Sequence, residues 1–459
     1  MVTLPRESQP LCIVIFLITP EVRNLPEILK LLGLLLSRPL LTLRLAKPRR
    51  IRNAIRSFLS NRGNRGQLYD RYVEIYGMSD SGIKIQQPVG CREKRYTGTV
   101  LILPIIDWEY RYARPQHLAT NLAKLGYGIF YFSTCPLLDV GKDLYRITRH
   151  PCKNVYVCRL RGAGADIEDI LRDKMSPHTV DAYANSLSHF LKDLDIESPV
   201  VVLHHPYWLP LVRRIQGGRI GYDCMDLHQG FLGETEMDES ERILLRTADF
   251  VVASSSYLQQ KIGAMGRDVH LIRNGCEYSA FSTIGPQPKA HIPVAGYVGA
   301  VEEWFDMDLV VSIARKLPGW RFVIIGATLG CNIDRARRMR NIKFVGEVPY
   351  EQVPAQLARF DVCMIPFKIT ELIKATNPVK VYEYLAAGRP VVATPIPELM
   401  VLGDKVAIAS TADEFAAKLQ KGLQVCSEIT DKWRHWAATQ DWSVRAREFE
   451  NVMKDEIGR

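Results

Sequence analysis

From Gly98 onward one pattern runs through the chain twice: apolar runs of five to eight residues alternate with stretches of helical periodicity. The first series has strand candidates at 99–106, 128–134, 199–205, 219–225 and 250–255. Between the first two, Leu118, Leu122 and Leu125 share one helical face, and the helix closes on Gly126. A linker rich in Pro and Gly, 282–293, separates this series from a second. The second predicts strands at 294–300, 320–327, 341–348, 361–367 and 390–394, with helices at 308–318, 353–360 and 379–388. Alternating strands and helices require crossover connections and therefore parallel sheets. Two such halves joined by a short linker form a cleft. A last amphipathic helix, 441–457, offers Val444, Phe449 and Val452 for packing on the first half.

The 459 residues, 47% hydrophobic and 24% charged, suffice for more than one core. Ten scattered cysteines, with no CxxC pair and no metal-ligand spacing, read as reduced thiols of a cytoplasmic protein. Residues 1–100 hold 17 Lys and Arg against 7 Asp and Glu, which is the whole of the formal charge of +10. The basic character belongs to an N-terminal extension. There the apolar run 11–19 is shorter than the roughly 20 residues a spanning helix needs, and 25–45 is interrupted by charges and Pro39. No small-residue cleavage site follows the first run, which argues against a secretory signal. Two readings of the extension stand open: an interfacial segment in which residues 1–60 meet an anionic membrane on the inner face of the cell membrane, or a helical segment packed on the catalytic domain. Nothing accompanying the charge points to nucleic acid.

Six motifs in order cover roughly residues 98–455: 108–133, 220–231, 248–258, 271–281, 295–306 and ATNPVKVYEYLAAGRPVVAT at 375–394. Together they resemble GT-B glycosyltransferases, specifically glycosyltransferase family 4 and the glycosyltransferases of teichuronic-acid and polysaccharide biosynthesis. The resemblance implies an α/β fold of two Rossmann-like domains facing across a cleft. The expected organisation is a basic, apolar helical extension (1–96), an acceptor domain (97–285), a nucleotide-sugar donor domain (286–436) and a C-terminal helix packing back on the first domain (437–459). It also implies transfer of a hexose from a nucleotide diphosphate sugar, such as a UDP- or GDP-sugar, to a glycan or lipid-linked acceptor in cell-surface polysaccharide assembly. A metal-independent, retaining reaction without a cofactor is expected. The rival readings are a non-catalytic nucleotide-sugar binding or scaffold protein, and a sugar-nucleotide epimerase or hydrolase.

Physical reading of the donor motif agrees. Pro378 suits the first turn of a helix, with Asn377 or Thr376 as the preceding cap. The free amides and positive dipole end of that helix then face the cleft, where a diphosphate can sit. Val379 and Lys380 lie in the first turn, and Lys380 adds charge. Glu383, one turn on, is placed for ribose hydroxyls, the role the resemblance implies. Gly299 ends a strand, either as a close approach to the diphosphate or as an ordinary turn, and Glu302 follows in its loop. The family pattern of two glutamates is broken by Ala375, for which Glu371 is the candidate substitute. Ala300 and Asp306 stand where an Arg and a Lys are usual, leaving Lys368, Lys374 and Lys380 as candidates.

On the acceptor side, Asp226 is the candidate contact for the sugar or the attacking hydroxyl, with His228 as its partner; the alternative is a helix cap. Arg114, before Pro115 at a loop-to-helix junction, is a candidate phosphate ligand or else a local ion pair with Asp107 and Glu109. Asn274 and Gly275 read as a turn at the domain junction. The residue pattern predicts no metal ligands.

Overall fold

The computed structural model describes residues 96–137, 143–163, 168, 170–171, 173–228, 237–285, 292–328 and 330–455. The chain divides into the compact units Met1–Asn53 and Ala54–Arg459, and everything described lies in the second. The expected membrane contact of residues 1–60 lies outside the described residues. Among these, no helix is long and apolar enough to cross a membrane.

The first half is an eight-stranded sheet: β1 (Thr99–Leu103), β2 (Gly128–Phe132), β3 (Tyr145–Cys152), β4 (Val155–Leu160), β5 (Val200–Leu203), β6 (Arg219–Cys224), β7 (Phe250–Ala253) and β8 (His270–Leu271). The spatial order is β3-β4-β2-β1-β5-β6-β7-β8. All neighbours pair in parallel except β3 with β4. β1, β2 and β5 are almost wholly buried apolar runs, as strands covered by helices on both faces must be. The helices that matter for the site are α1 (Arg114–Lys124), α2 (Pro177–Asp193), α3 (Glu239–Thr247) and α4 (Ser256–Gly263). Pro115 stands at the start of α1, where its missing N–H costs nothing, and the Gln116 side chain accepts from the Ala113 N–H at 3.2 Å.

The β3–β4 hairpin was not foreseen. Its turn is built on Asn154, at φ 67°, and strand β3 carries charged residues on its exposed face, so neither a Gly nor a continuous apolar run announces it.

The second half is a six-stranded parallel sheet in the order β11-β10-β9-β12-β13-β14. Its strands are β9 (Val294–Val298), β10 (Arg321–Ile325), β11 (Ile342–Gly346), β12 (Val362–Ile365), β13 (Val391–Ala393) and β14 (Val406–Ile408). Its helices include α5 (Met307–Lys316), α6 (Glu371–Ala375), α7 (Val379–Ala386), α8 (Pro397–Met400), α9 (Ala412–Gly422) and α10 (Ser427–Ala438).

The last helix, α11 (Trp442–Asp455), packs on the first half. Trp442, Ala446, Phe449 and Met453, at spacings of four, three and four, are buried with Leu118 and Leu122 of α1. Each large apolar side chain so buried stabilises the contact by roughly 1.5–3 kcal/mol. Val452 is buried, but Val444, expected in the packing face, is only half-buried; Trp442 takes that place and stacks on His117 at 4.7 Å. The main chain adds a bridge between Cys276 and Asp441, so Gly275 lies against the Gln440 carbonyl, where a Cβ would come within 2.4 Å.

Candidate active site

The donor side is a floor of strand ends. Gly299, just after β9 at φ 153°, packs against Gly326, just after β10 at φ 150°; a Cβ on Gly326 would lie 1.7 Å from the Gly299 carbonyl oxygen. Only glycine takes these backbones and this separation together. Over Gly299 lies Lys380, from the first turn of α7. A Cβ on Gly299 would sit 2.7 Å from Lys380 Cε and 2.8 Å from the Tyr297 hydroxyl. The ammonium stands 5.5 Å from the centre of the Tyr297 ring and 5.3 Å from that of Phe367. Among the described residues it has no ion pair. Burial, with Arg111 nearby, lowers its pKa to about 8, although Glu383 pulls the other way.

Glu383 follows one turn along α7 and is 7% exposed. Burial pushes its carboxyl up to about 7 against the pull of Lys380 and the Tyr350 phenol, and Glu277 adds to the rise. Among the described residues the buried Tyr350 hydroxyl has no hydrogen-bond partner of good geometry, and it lies beside this carboxyl. Its ring is held against Tyr112, His117 and Phe281. Tyr350 belongs to the site and was missed, because a lone Tyr before a short helix carries no sequence signal.

Three further expectations change. Helix α7 starts at Val379 with Pro378 as its cap residue and no side-chain cap. Thr376 instead donates to the Leu372 carbonyl at 2.8 Å, and Asn377 is used elsewhere. Val379 is half-buried against the apolar cluster that contains Trp442. Glu371, the candidate substitute for the missing glutamate, is engaged by its neighbours: Tyr257 and Lys374 bind its two oxygens at 2.5 and 2.6 Å, and its side chain is 58% exposed. Of the three candidate lysines, Lys374 is held by Glu371 and Lys368 donates to the Glu303 carbonyl at 3.0 Å, so Lys380 alone stands over Gly299. Glu302 lies half-buried in the loop after Gly299, its carboxyl raised by burial although Arg111 opposes the rise.

The acceptor half presents a different arrangement. Arg114, 1% exposed, donates to both oxygens of Asp223 at 2.8 and 2.9 Å, to the Arg273 carbonyl and to Asn274 Oδ1. His204 Nε2 lies 3.4 Å from Asp223. Burial would raise Asp223, but Arg114 and His204 outweigh it and hold the carboxyl at about 2. Of the two expectations for Arg114, phosphate ligand or local ion pair, the structure shows it in an ion pair, whose partner is Asp223 rather than Asp107 or Glu109. From Asn274 the network runs on: its N–H donates to Asn377 Oδ1 at 2.9 Å, its amide to the Asn377 carbonyl at 2.7 Å. Asn377 in turn donates to Glu398, which also receives Arg273 at 2.8 Å. Asn377 thus fastens the two halves together.

Asp226 is half-buried just beyond β6, with no side-chain hydrogen bond among the described residues. Burial raises its carboxyl to about 7; Arg114 opposes this and Asp223 adds to it. His228 is buried, both ring nitrogens lack partners among the described residues, and burial holds the ring neutral. Its ring meets His205 at 4.5 Å. Cys224, His228 and Glu241 offer ligand atoms within 4.8 Å of one another, a donor set that could hold a small cation and that the sequence spacing did not suggest. Glu241 is meanwhile held by the Tyr222 hydroxyl at 2.7 Å.

Residues 292–424 match the family Glycosyl transferases group 1. Over 262 residues the chain is 28% identical to TuaH of Bacillus subtilis (strain 168), a protein named as a teichuronic acid biosynthesis glycosyltransferase. That match covers 51% of this chain and 65% of TuaH, so the chain spans just under two thirds of that relative's length. Among solved structures it is similar to sucrose-phosphate synthase (tll1590) from Thermosynechococcus elongatus: TM-score 0.62, 15% identity, 79% of this chain and 100% of the other. A glycosyltransferase from Rickettsia africae ESF-5 gives TM-score 0.58 at 13% identity over 79% and 99% of the two chains. A trehalose-6-phosphate structure from E. coli bound with UDP-2-fluoro glucose gives 0.58 at 11% identity over 78% and 99%. At these identities the likeness establishes the fold, which is GT-B.

Proposed function

We propose that this protein transfers a hexose from a nucleotide diphosphate sugar to a glycan or lipid-linked acceptor in cell-surface polysaccharide assembly, with retention and without a required metal. The observation that carries the reading is Lys380 lying over Gly299 at the start of α7, with Glu383 one turn further on. The ammonium and the first free amides of α7 supply positive charge where a departing diphosphate needs it. Glu383, as a carboxylate, accepts hydrogen bonds from ribose hydroxyls. On the opposite side, Asp226 is the candidate group to meet the sugar or the attacking hydroxyl, with His228 as its partner. The likeness to TuaH supports an envelope polysaccharide as the acceptor class.

Thermal-shift screening of the full chain against nucleotide sugars identifies the donor, since a ligand that binds only the folded state raises its stability. For that donor, Glu383→Ala weakens binding more than about tenfold, or roughly 1.4 kcal/mol. Unchanged affinity by calorimetry removes the donor assignment. Transfer, as opposed to hydrolysis, appears as nucleotide release that requires an acceptor.

A further inference from the structure

The cations that the family pattern places after the glycine strand are replaced here by Ala300 and Asp306, and Asp306 is used as the cap of α5, accepting from the Leu309 N–H at 2.9 Å. One replacement is Lys380. A second cation arrives from the other half of the molecule. Arg111 lies in the loop between β1 and α1, and its Nε donates to Glu347 Oε1 at 3.1 Å. Glu347 directly follows β11, and its neighbour Gly346 accepts the Gly326 N–H at 2.9 Å. Gly326 in turn touches Gly299. The ends of β9, β10 and β11 therefore form one continuous floor, with Lys380 over Gly299 and Arg111 at Glu347, beside Gly346.

The loop that carries Arg111 is fixed to the donor half by a second contact, the stack of Tyr112 on Tyr350 at 5.6 Å and 29°. Arg111 is close enough to Lys380 to oppose its charge. Its guanidinium also senses Glu302. Two cations thus flank a floor of glycines.

Resting on the donor-site reading above, we propose that Arg111 is a diphosphate ligand supplied across the cleft, and that Glu347 is the counterion it exchanges for the diphosphate. The Arg111 and Glu347 side chains are 30% and 24% exposed, so their pair is weakly held by comparison with a buried one. A diphosphate offers a planar guanidinium two oxygens and more charge than one carboxylate does. Exchange releases Glu347 and keeps the loop docked on the donor half. A site to which both halves contribute binds the diphosphate more tightly when the Arg111 loop is docked, which couples donor binding to the contact between the halves.

Calorimetry on the full chain with UDP, GDP and their monophosphates tests this. Arg111→Ala weakens the bound nucleoside diphosphate about tenfold and the matching monophosphate less than about twofold, while Arg111→Lys recovers part of the loss. Glu347→Ala strengthens diphosphate binding about threefold in the wild-type background and has no effect beside Arg111→Ala. Equal losses for diphosphate and monophosphate overturn the proposal, as do equal effects of Glu347→Ala in both backgrounds. If the wild type binds a diphosphate in a Glu383-dependent way and Arg111→Ala is silent, only the Arg111 assignment falls. A raised KM for the acceptor with unchanged diphosphate binding also overturns it, moving Arg111 to the acceptor phosphate. If the wild type binds neither diphosphate, the donor reading falls with it.

Discussion

The two halves share one architecture and treat charge in opposite ways. In the acceptor half, the cation at the start of α1 and the carboxylate at the end of β6 neutralise each other: Arg114 and Asp223 are 2.8 Å apart and both buried. In the second half, the cation at the start of α7 has no counterion within ion-pair distance among the described residues, and neither has Glu383, beside which the Tyr350 hydroxyl lies. A buried pair that is complete fixes structure, whereas incompletely paired groups at the edge of a cleft keep their capacity for a ligand. A cation at a helix start and a carboxylate near it therefore stand in different surroundings in the two halves. Only their partners distinguish them.

The largest expected effect comes from breaking the completed pair. Asp223→Ala leaves Arg114 buried without its counterion and lowers stability by about 3–5 kcal/mol in denaturant unfolding. A loss comparable to that of an exposed pair would show that the acceptor-side network is not structural.

A smaller effect sharpens the donor side. Glu383 titrates near 7 because it is buried, and Lys380 near 8 for the same reason. As pH rises through about 7 the carboxylate forms and becomes an acceptor for ribose hydroxyls; above about 8 the ammonium loses its proton and the diphosphate loses a partner. Affinity for the nucleotide diphosphate sugar therefore peaks between about pH 7 and 8. Glu383→Gln removes the acid limb and Lys380→Arg the alkaline one. An acid limb that survives in Glu383→Gln assigns it to another group.

The smallest effect concerns the exposed carboxylate that the sequence pattern nominated. Glu371→Ala leaves donor affinity within about twofold, because Tyr257 and Lys374 are what it binds. A tenfold loss by calorimetry would place Glu371 back in the donor site.

Much of the architecture was legible in the chain, since strands buried on both faces must be apolar throughout and crossover helices must present one apolar side. Their order and the linker at 282–293 led to two Rossmann-like halves. The β3–β4 hairpin was not legible, because an antiparallel edge strand with an exposed face carries charges and a two-residue turn at Lys153 and Asn154 lacks glycine. For the site, Gly299, Lys380 and Glu383 could be nominated as candidates because the glycine and the helix start are local requirements. The contacts of Tyr350 and Arg111 could not be read, since each joins segments far apart in the chain.

What the sequence alone determined was most of the buried strands and the position of helix α7, because propensity, periodicity and a proline at a helix start act over a few residues. Tertiary structure decided which charges are spent and which remain. Arg114 and Lys380 both begin helices next to strand ends, yet one meets Asp223 and the other meets two aromatic rings. The energy of a buried charge depends on what stands within a few ångströms of it, and that neighbour comes from another part of the chain.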